Sequence, residues 1–281
     1  MFPFADNFFL QMALWASLLA SFAGGVIGSF VVVKRIAFIA GSISHSVLGG
    51  MGLCLWIQRT YHIPWLDPMI GAFAGSIASA LLIGWIHLNF RQREDSVIAA
   101  IWSTGMAVGV IFLSLTPGTN VELMNFLFGN ILWVSPKDLL MLAILDGLIL
   151  GVVALYYRRF LALCFDEEQA LLQGVAVRRL YLLLLSLVAV SIVLLIQMIG
   201  TILVIALLTI PAAVAGLFTK KLHVMMAAAS ALCALLSFFG LGAAYTLDWP
   251  PGATIALFAA LAYLAALALK KKNFHFKKSL S

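Results

Sequence analysis

Charge is scarce in this sequence. Asp, Glu, Lys and Arg make up only 10% of its 281 residues, against about 25% in ordinary soluble domains. That shortage excludes a soluble globular protein, a disordered tail and a nucleic-acid-binding module. Cysteine is sparse too. Cys54, Cys164 and Cys233 lie far apart, which leaves neither a disulfide framework nor a C-x-x-C metal knuckle. No G-x-x-x-x-G-K-[ST] loop occurs, so the chain lacks the phosphate cradle needed to hydrolyse ATP itself. Apolar residues, by contrast, make up 64% of the chain, and the mean hydropathy is +1.10. The net charge of +6 sits in short basic clusters between apolar stretches, the pattern of a topology signal. No soluble domain of useful size fits between those stretches. The composition therefore implies an all-α, polytopic membrane helix bundle. We read residues 1–281 as a single transmembrane domain, with a tail over 270–281.

A helix needs about 20 apolar residues to cross a bilayer. Nine windows qualify, roughly 9–33, 36–57, 69–89, 96–116, 138–157, 180–198, 200–218, 223–246 and 253–269. Two of them touch at Met198-Ile199-Gly200 without a polar loop. A tight helical hairpin there gives nine spans, and a re-entrant segment gives eight. Under the nine-span reading 15 of the 17 Lys and Arg fall on one side, leaving Arg59 and Lys137 on the other. Basic residues stay cytoplasmic, so the expectation is an outside N-terminus and a cytoplasmic C-terminus. The N-terminus has no basic n-region, so the first window reads as a retained span. Trp56, Trp65, Trp133 and Trp249 lie near external ends, as an aromatic belt or as ordinary lipid-facing bulk.

Four small-x-x-x-small pairs, Gly24/Gly28, Gly71/Gly75, Gly105/Gly109 and Gly147/Gly151, predict close helix contacts. Pro211 falls inside the seventh window and removes one backbone bond. It marks either a gating bend or a kink re-satisfied by neighbours.

Polar residues inside a bilayer are costly and point to function. In the second span Gly41, His45, Gly49 and Gly52 share one helical face, with Ser42 and Ser46 on an adjacent stripe. A neutral imidazole is the commonest protein ligand for a transition metal, so this face reads as a metal pathway or as a structural histidine. Asp146 is the one carboxylate deep in a predicted span. It reads equally as a pathway residue or as a protonated packing residue. Between two basic pairs lies the segment 165–175. Asp166 caps a short helix with Gln169 three residues on, the acids Asp166, Glu167 and Glu168 suit the first turn, and Gly174 suits the stop. This is a short helix outside the membrane, as a connector or as a docking helix for a cytoplasmic partner.

Together these regions resemble the permease subunit of ABC-type zinc/manganese/iron importers. Lys34-Arg35 through Ser44-His45-Ser46-Val47-Leu48-Gly49-Gly50 is similar to that family's basic turn and G-D-x-x-x-H-x-x-L-x-G segment. Phe128-Gly129-Asn130-Ile131-Leu132-Trp133-Val134-Ser135 is similar to F-G-x-I-L-x-V-S. Asp166-Glu167-Glu168-Gln169-Ala170 with Gly174-Val175 is similar to the coupling helix D-x-E-x-A-x-x-x-G-V. Gly200-Thr201-Ile202-Leu203-Val204 through Pro211-Ala212-Ala213, and Pro251-Gly252-Ala253-Thr254, complete the match. The resemblance implies an ATP-driven importer in a prokaryotic inner membrane. It implies two permease chains, a cytoplasmic ATPase dimer contacting Asp166, Glu167, Glu168, Gln169, Ala170 and Gly174, and an extracytoplasmic metal-binding protein. No permanent cofactor is implied. The cargo would be Zn²⁺ first, with Mn²⁺ or Fe²⁺ as alternatives, and ATP would be used by the partner. One departure stands out: the family's Asp, four residues before the His, is Gly41 here. A site built from His45 of two protomers would then rely on nitrogen donors, which suits zinc better than manganese.

Two other classes compete. A proton-coupled secondary transporter would use Asp146 and leave the 165–175 helix unexplained. An intramembrane serine hydrolase would need Ser42 or Ser44 within hydrogen-bond reach of His87 or His45.

Overall fold

A computed structural model describes residues 7–90, 94–118, 126, 129, 131 and 134–278. The helices are α1 (Phe8–Val33), α2 (Ala37–Thr60), α3 (Pro68–Asn89), α4 (Glu94–Leu115), α5 (Pro136–Phe165), α6 (Glu167–Leu172), α7 (Val177–Ile199), α8 (Thr201–Phe218), α9 (Leu222–Leu247) and α10 (Pro251–Lys278). Among the described residues eight helices, all but α6 and α8, are long and apolar enough to cross a membrane. With 18 residues α8 spans about 27 Å at 1.5 Å per residue, just short of the ~30 Å hydrocarbon core.

The helix ends gather at two poles. At one pole the Lys34 ammonium pairs with the Glu167 carboxylate and donates to the Leu163 carbonyl at 3.1 Å. Arg178 donates there to the Asn89 side chain at 2.7 Å. At the other pole Arg59 donates to the Pro117 carbonyl at 3.0 Å, and Gln197 Nε2 donates to Asp138 Oδ1 at 3.1 Å. Gly200 divides α7 from α8 at the Gln197 pole. Its φ of +80° lies where a side chain is strained. From there α8 returns to Lys220 and Lys221, which line one hollow with Arg158 and Asp166 at the Lys34 pole. The boundary read at Met198-Ile199-Gly200 is therefore a helical hairpin, and α8 runs from pole to pole.

Contacts sort the helices into two groups. On one flank α2 packs between α3 and α4. On the other, α1 packs against α9 and α8, and α10 closes on α8 and α9. Between them α7 touches α1, α2, α3, α5 and α8. The glycine pairs explain the tightest of these contacts. A Cβ at Gly105 would stand 2.7 Å from Ser46 Cα, one at Gly52 would stand 2.8 Å from the Gly109 carbonyl oxygen, and one at Gly50 would stand 2.8 Å from Gly75 Cα. Gly28 lies equally close to Leu208 of α8. The fourth pair corrects the sequence expectation. Among the described residues a Cβ at Gly147 or Gly151 would meet nothing within 4 Å, and both lie on the side of α5 that also exposes Ile144, Leu148 and Leu155. Small residues permit close approach without compelling it.

Pro211 is buried in the interior of α8, where it leaves the Leu207 carbonyl without its helical N–H. At the start of α5, Ser135 and Asp138 form a reciprocal capping box, which satisfies two of the free N–H groups of that end. Of the sequence stretch 128–135, Gly129, Ile131, Val134 and Ser135 are described, and Gly129 (φ +72°) lies directly against Ile199 and Gly200. Phe128, Asn130, Leu132 and Trp133 lie outside the described residues.

Candidate functional site

On α2 the polar residues turn either to α4 or back onto α2 itself. Ser42 Oγ donates to the Ile98 carbonyl of α4 at 3.0 Å. Ser46 Oγ donates to the Ser42 carbonyl at 2.7 Å and reaches the Ile101 carbonyl at 3.3 Å. Both hydroxyls therefore fasten α2 to α4 by their protons. Ser44 Oγ turns back to the Gly41 carbonyl at 2.7 Å. A Cβ at Gly41 would meet Ile205 Cδ1 of α8 at 3.2 Å, so the position without a carboxylate is filled by an apolar contact from the neighbouring helix. Gly49 abuts the Gly105 carbonyl of α4, where a Cβ would stand at 2.9 Å.

His45 sits among these contacts, half-buried. Its ring stacks on the indole of Trp102, with centroids 4.4 Å apart and planes 8° apart. The indole N–H is directed to Met106 Sδ at 3.1 Å. Stacking fixes the imidazole plane but leaves both ring nitrogens at its edge. Neither has a hydrogen-bond partner among the described residues. Histidine that ligates metals presents such an in-plane nitrogen. A structural histidine tied to the next helix by a hydrogen bond is not what this geometry provides. Sequence reasoning missed Trp102, because its pairing with His45 depends on the α2–α4 register.

Asp146 is elsewhere. It is 3% exposed and shares the inner face of α5 with Leu142, Ile149 and Val153. That helix packs against α1 and α7, whereas α2 packs against α3 and α4. The structure therefore does not bring Asp146 and His45 together. Neither Asp146 oxygen has a hydrogen-bond partner among the described residues. Among the described residues, no group of three or more His, Cys, Asp or Glu stands close enough to share an ion.

At the Lys34 pole the short helix α6 forms as the sequence expects. Asp166 Oδ1 accepts from the Gln169 N–H at 2.8 Å. The other end closes with the Gly174 N–H on the Leu171 carbonyl and the Val175 N–H on the Ala170 carbonyl, each at 3.0 Å. Gly174 takes φ +76° to do so, the left-handed stop that glycine supplies at lowest cost. Ala170 is buried against the bundle. Glu167, itself exposed, reaches Lys34, so its carboxylate ties α6 to the α1–α2 turn. Also exposed on α6 are Glu168, Gln169, Leu171 at 58% and Leu172 at 89%. Sequence reasoning singled out the acids and passed over these leucines. Two leucines on a helix outside the apolar windows were the available signal.

The model of the ABC 3 transport family matches residues 6–270. The chain belongs to that family. It is similar to a probable metal transport system membrane protein of Chlamydia pneumoniae, 53% identical, over 92% of this chain and 87% of that protein. It is also similar to the manganese transport system membrane protein MntC of Listeria innocua, 35% identical, over 94% and 92% of the two chains. Among solved structures, PsaBC from Streptococcus pneumoniae in complex with Fab matches with a TM-score of 0.83 and 30% identity, covering 94% and 92%. This ABC 3 chain is thus the multi-pass membrane subunit of an ABC-type metal-ion importer, one member of a transporter complex and not itself an enzyme. That result sets aside the serine-hydrolase and secondary-transporter readings. The hydroxyls of Ser42 and Ser44 are in any case committed to backbone carbonyls.

Proposed function

We propose that this permease passes a divalent transition-metal ion along the His45 face, as one of two permease chains, while a cytoplasmic ATPase dimer grips the outward face of α6. The observation that carries the pathway is the half-buried imidazole whose plane is fixed by Trp102 and whose nitrogens are uncommitted. One imidazole is too few for a resident metal site, where zinc takes about four ligands. It suits a transient stop for a moving ion, completed by the second permease chain. Ser42, Ser46, Gly41 and Gly49 support that stop by fastening α2 to its neighbours. Asp146 acts away from it. On α6, Asp166, Gln169, Ala170 and Gly174 shape the helix, Glu167 ties it to Lys34, and Glu168 with the two leucines meets the ATPase. Pro211 is the bending point of α8.

In this reading the Lys34 pole is cytoplasmic, because basic residues collect there. The N-terminus is outside, in the plasma membrane of a prokaryote, and an extracytoplasmic binding protein delivers the ion to the Arg59 pole. The cargo is zinc, since nitrogen donors without a carboxylate suit zinc better than manganese. The second cargo is manganese, favoured by the name of the Listeria relative. The test is uptake of radioactive zinc and manganese into vesicles holding the complete complex. We expect nucleotide-dependent zinc uptake that excess manganese competes with only weakly. Manganese uptake unaffected by excess zinc would reverse the cargo. Uptake of either ion at full rate without nucleotide would sink the whole reading.

A further inference from the structure

We propose that the hollow between α5, α6 and the α8–α9 turn is a binding site for one anionic phospholipid of the surrounding bilayer. The hollow measures about 520 Å³, within the roughly 300–1,000 Å³ of small-molecule sites. Its charged lining is mainly basic: Arg158 from α5, and Lys220 and Lys221 from the turn. The Arg158 guanidinium and both ammonium groups have no ion-pair partner among the described residues. Asp166, the acid on the described rim, directs Oδ1 to the Gln169 N–H. The site thus holds unspent positive charge.

One wall of the hollow, Asp166, Gln169, Ala170 and Gln173, belongs to or flanks α6 outside the membrane, and the depth of the opposite rim, Tyr157 and Arg158, is what favours a lipid. With 30 residues, α5 is about 45 Å long, against a hydrocarbon core of ~30 Å. Its excess lies at the Lys34 pole if the Pro136 end marks the opposite interface. Tyr157 and Arg158 then stand at headgroup level, where an aromatic ring and a long basic side chain are both at home. Neighbouring Arg159 covers the Tyr156 ring at 5.5 Å, which places a second cation-and-aromatic pair at the same level. Apolar Leu161 completes the wall of the hollow. Farther along, Leu155 of α5 and Val224 of α9 are exposed, apolar side chains that acyl chains could cover. A phosphate in the hollow would meet three cations while its chains stay in lipid. Such basic pockets between membrane helices are suited to anionic headgroups.

The test is lipid retention by the purified full-length permease, read by native mass spectrometry without ATPase or metal, so it is independent of the transport reading. The probes are phosphatidylglycerol, phosphatidylcholine with the same chains, and free glycerol phosphate. We expect phosphatidylglycerol alone to be retained. The triple variant Arg158→Gln, Lys220→Gln, Lys221→Gln should weaken that retention about tenfold or more, given the contribution of each basic group near anionic lipid. Lys270→Gln with Lys271→Gln should leave it unchanged, although it removes as much charge from the same pole as two of the three substitutions. Equal retention of both lipids, or equal loss in both variants, overturns the site. Glycerol phosphate binding as well as the lipid would overturn the lipid as its source. A triple variant that keeps phosphatidylglycerol but loses the ATPase during purification of the complex would assign the hollow to that protein instead.

Discussion

A permease carrying Leu171→Asp and Leu172→Asp is expected to insert and fold normally yet lose its ATPase during purification. The two leucines are the apolar part of the outward face of α6, and exposed apolar patches rimmed by polar residues mark interaction surfaces. Fully burying one leucine is worth about 1.5–3 kcal/mol. Losing two of them at a docking face, at 1.4 kcal/mol per tenfold, weakens association by roughly a hundredfold or more. The new carboxylates would have to be desolvated as well, which adds to the loss. The fold itself should not suffer, because α6 is held by its caps, by buried Ala170 and by the Lys34–Glu167 pair. The check is the ratio of ATPase to permease after affinity purification, alongside the permease melting temperature. An unchanged ratio would show that the ATPase docks elsewhere.

The second large effect is on stability. Gly50→Leu should cripple the bundle, and Gly147→Leu should not. At Gly50 the new Cβ would stand 2.8 Å from Gly75 Cα and closer still to the Gly71 carbonyl. These are backbone atoms, which cannot swing aside as a side-chain tip can. Overpacking typically costs 1–3 kcal/mol, occasionally more, and a collision with backbone belongs at the upper end or above it. At Gly147 the new Cβ would meet nothing within 4 Å among the described residues, and replacing a helical glycine recovers up to about 1 kcal/mol of propensity. Melting of the two variants in detergent separates the cases. Gly50→Leu should fall well below the parent or fail to accumulate, and Gly147→Leu should match or exceed it. Equal midpoints would mean that α2 and α3 do not meet at this contact.

These two predictions also mark where the sequence could be read and where it could not. Span positions were legible because apolar length alone determines them. The ends of α6 were legible because Asp166 and Gly174 act through local backbone chemistry. Gly200 was legible as a boundary, although only the positions of Gln197 and of Lys220-Lys221 at opposite poles make it a hairpin. Contacts between distant segments were not legible. The helical wheel put Gly41, His45, Gly49 and Gly52 on one face correctly, but that face meets α8 at one end and α4 along the rest. Four G-x-x-x-G pairs look alike in sequence, and three of them are packed. The pairing of Glu167 with Lys34 was not legible, because the two lie 133 residues apart. Trp102 was one tryptophan among seven until register placed it on His45.

Metal uptake by the complete complex with His45→Ala tests the central claim most directly. The alanine removes the uncommitted nitrogens while leaving the Ser42 and Ser46 bonds and the α2–α4 glycine contacts in place. We predict that this complex assembles, binds its ATPase and hydrolyses ATP, but carries zinc and manganese at less than about a tenth of the parent rate, as expected when an interaction worth more than ~1.4 kcal/mol is lost from the rate-limiting step. Uptake of both metals at the parent rate would contradict the account.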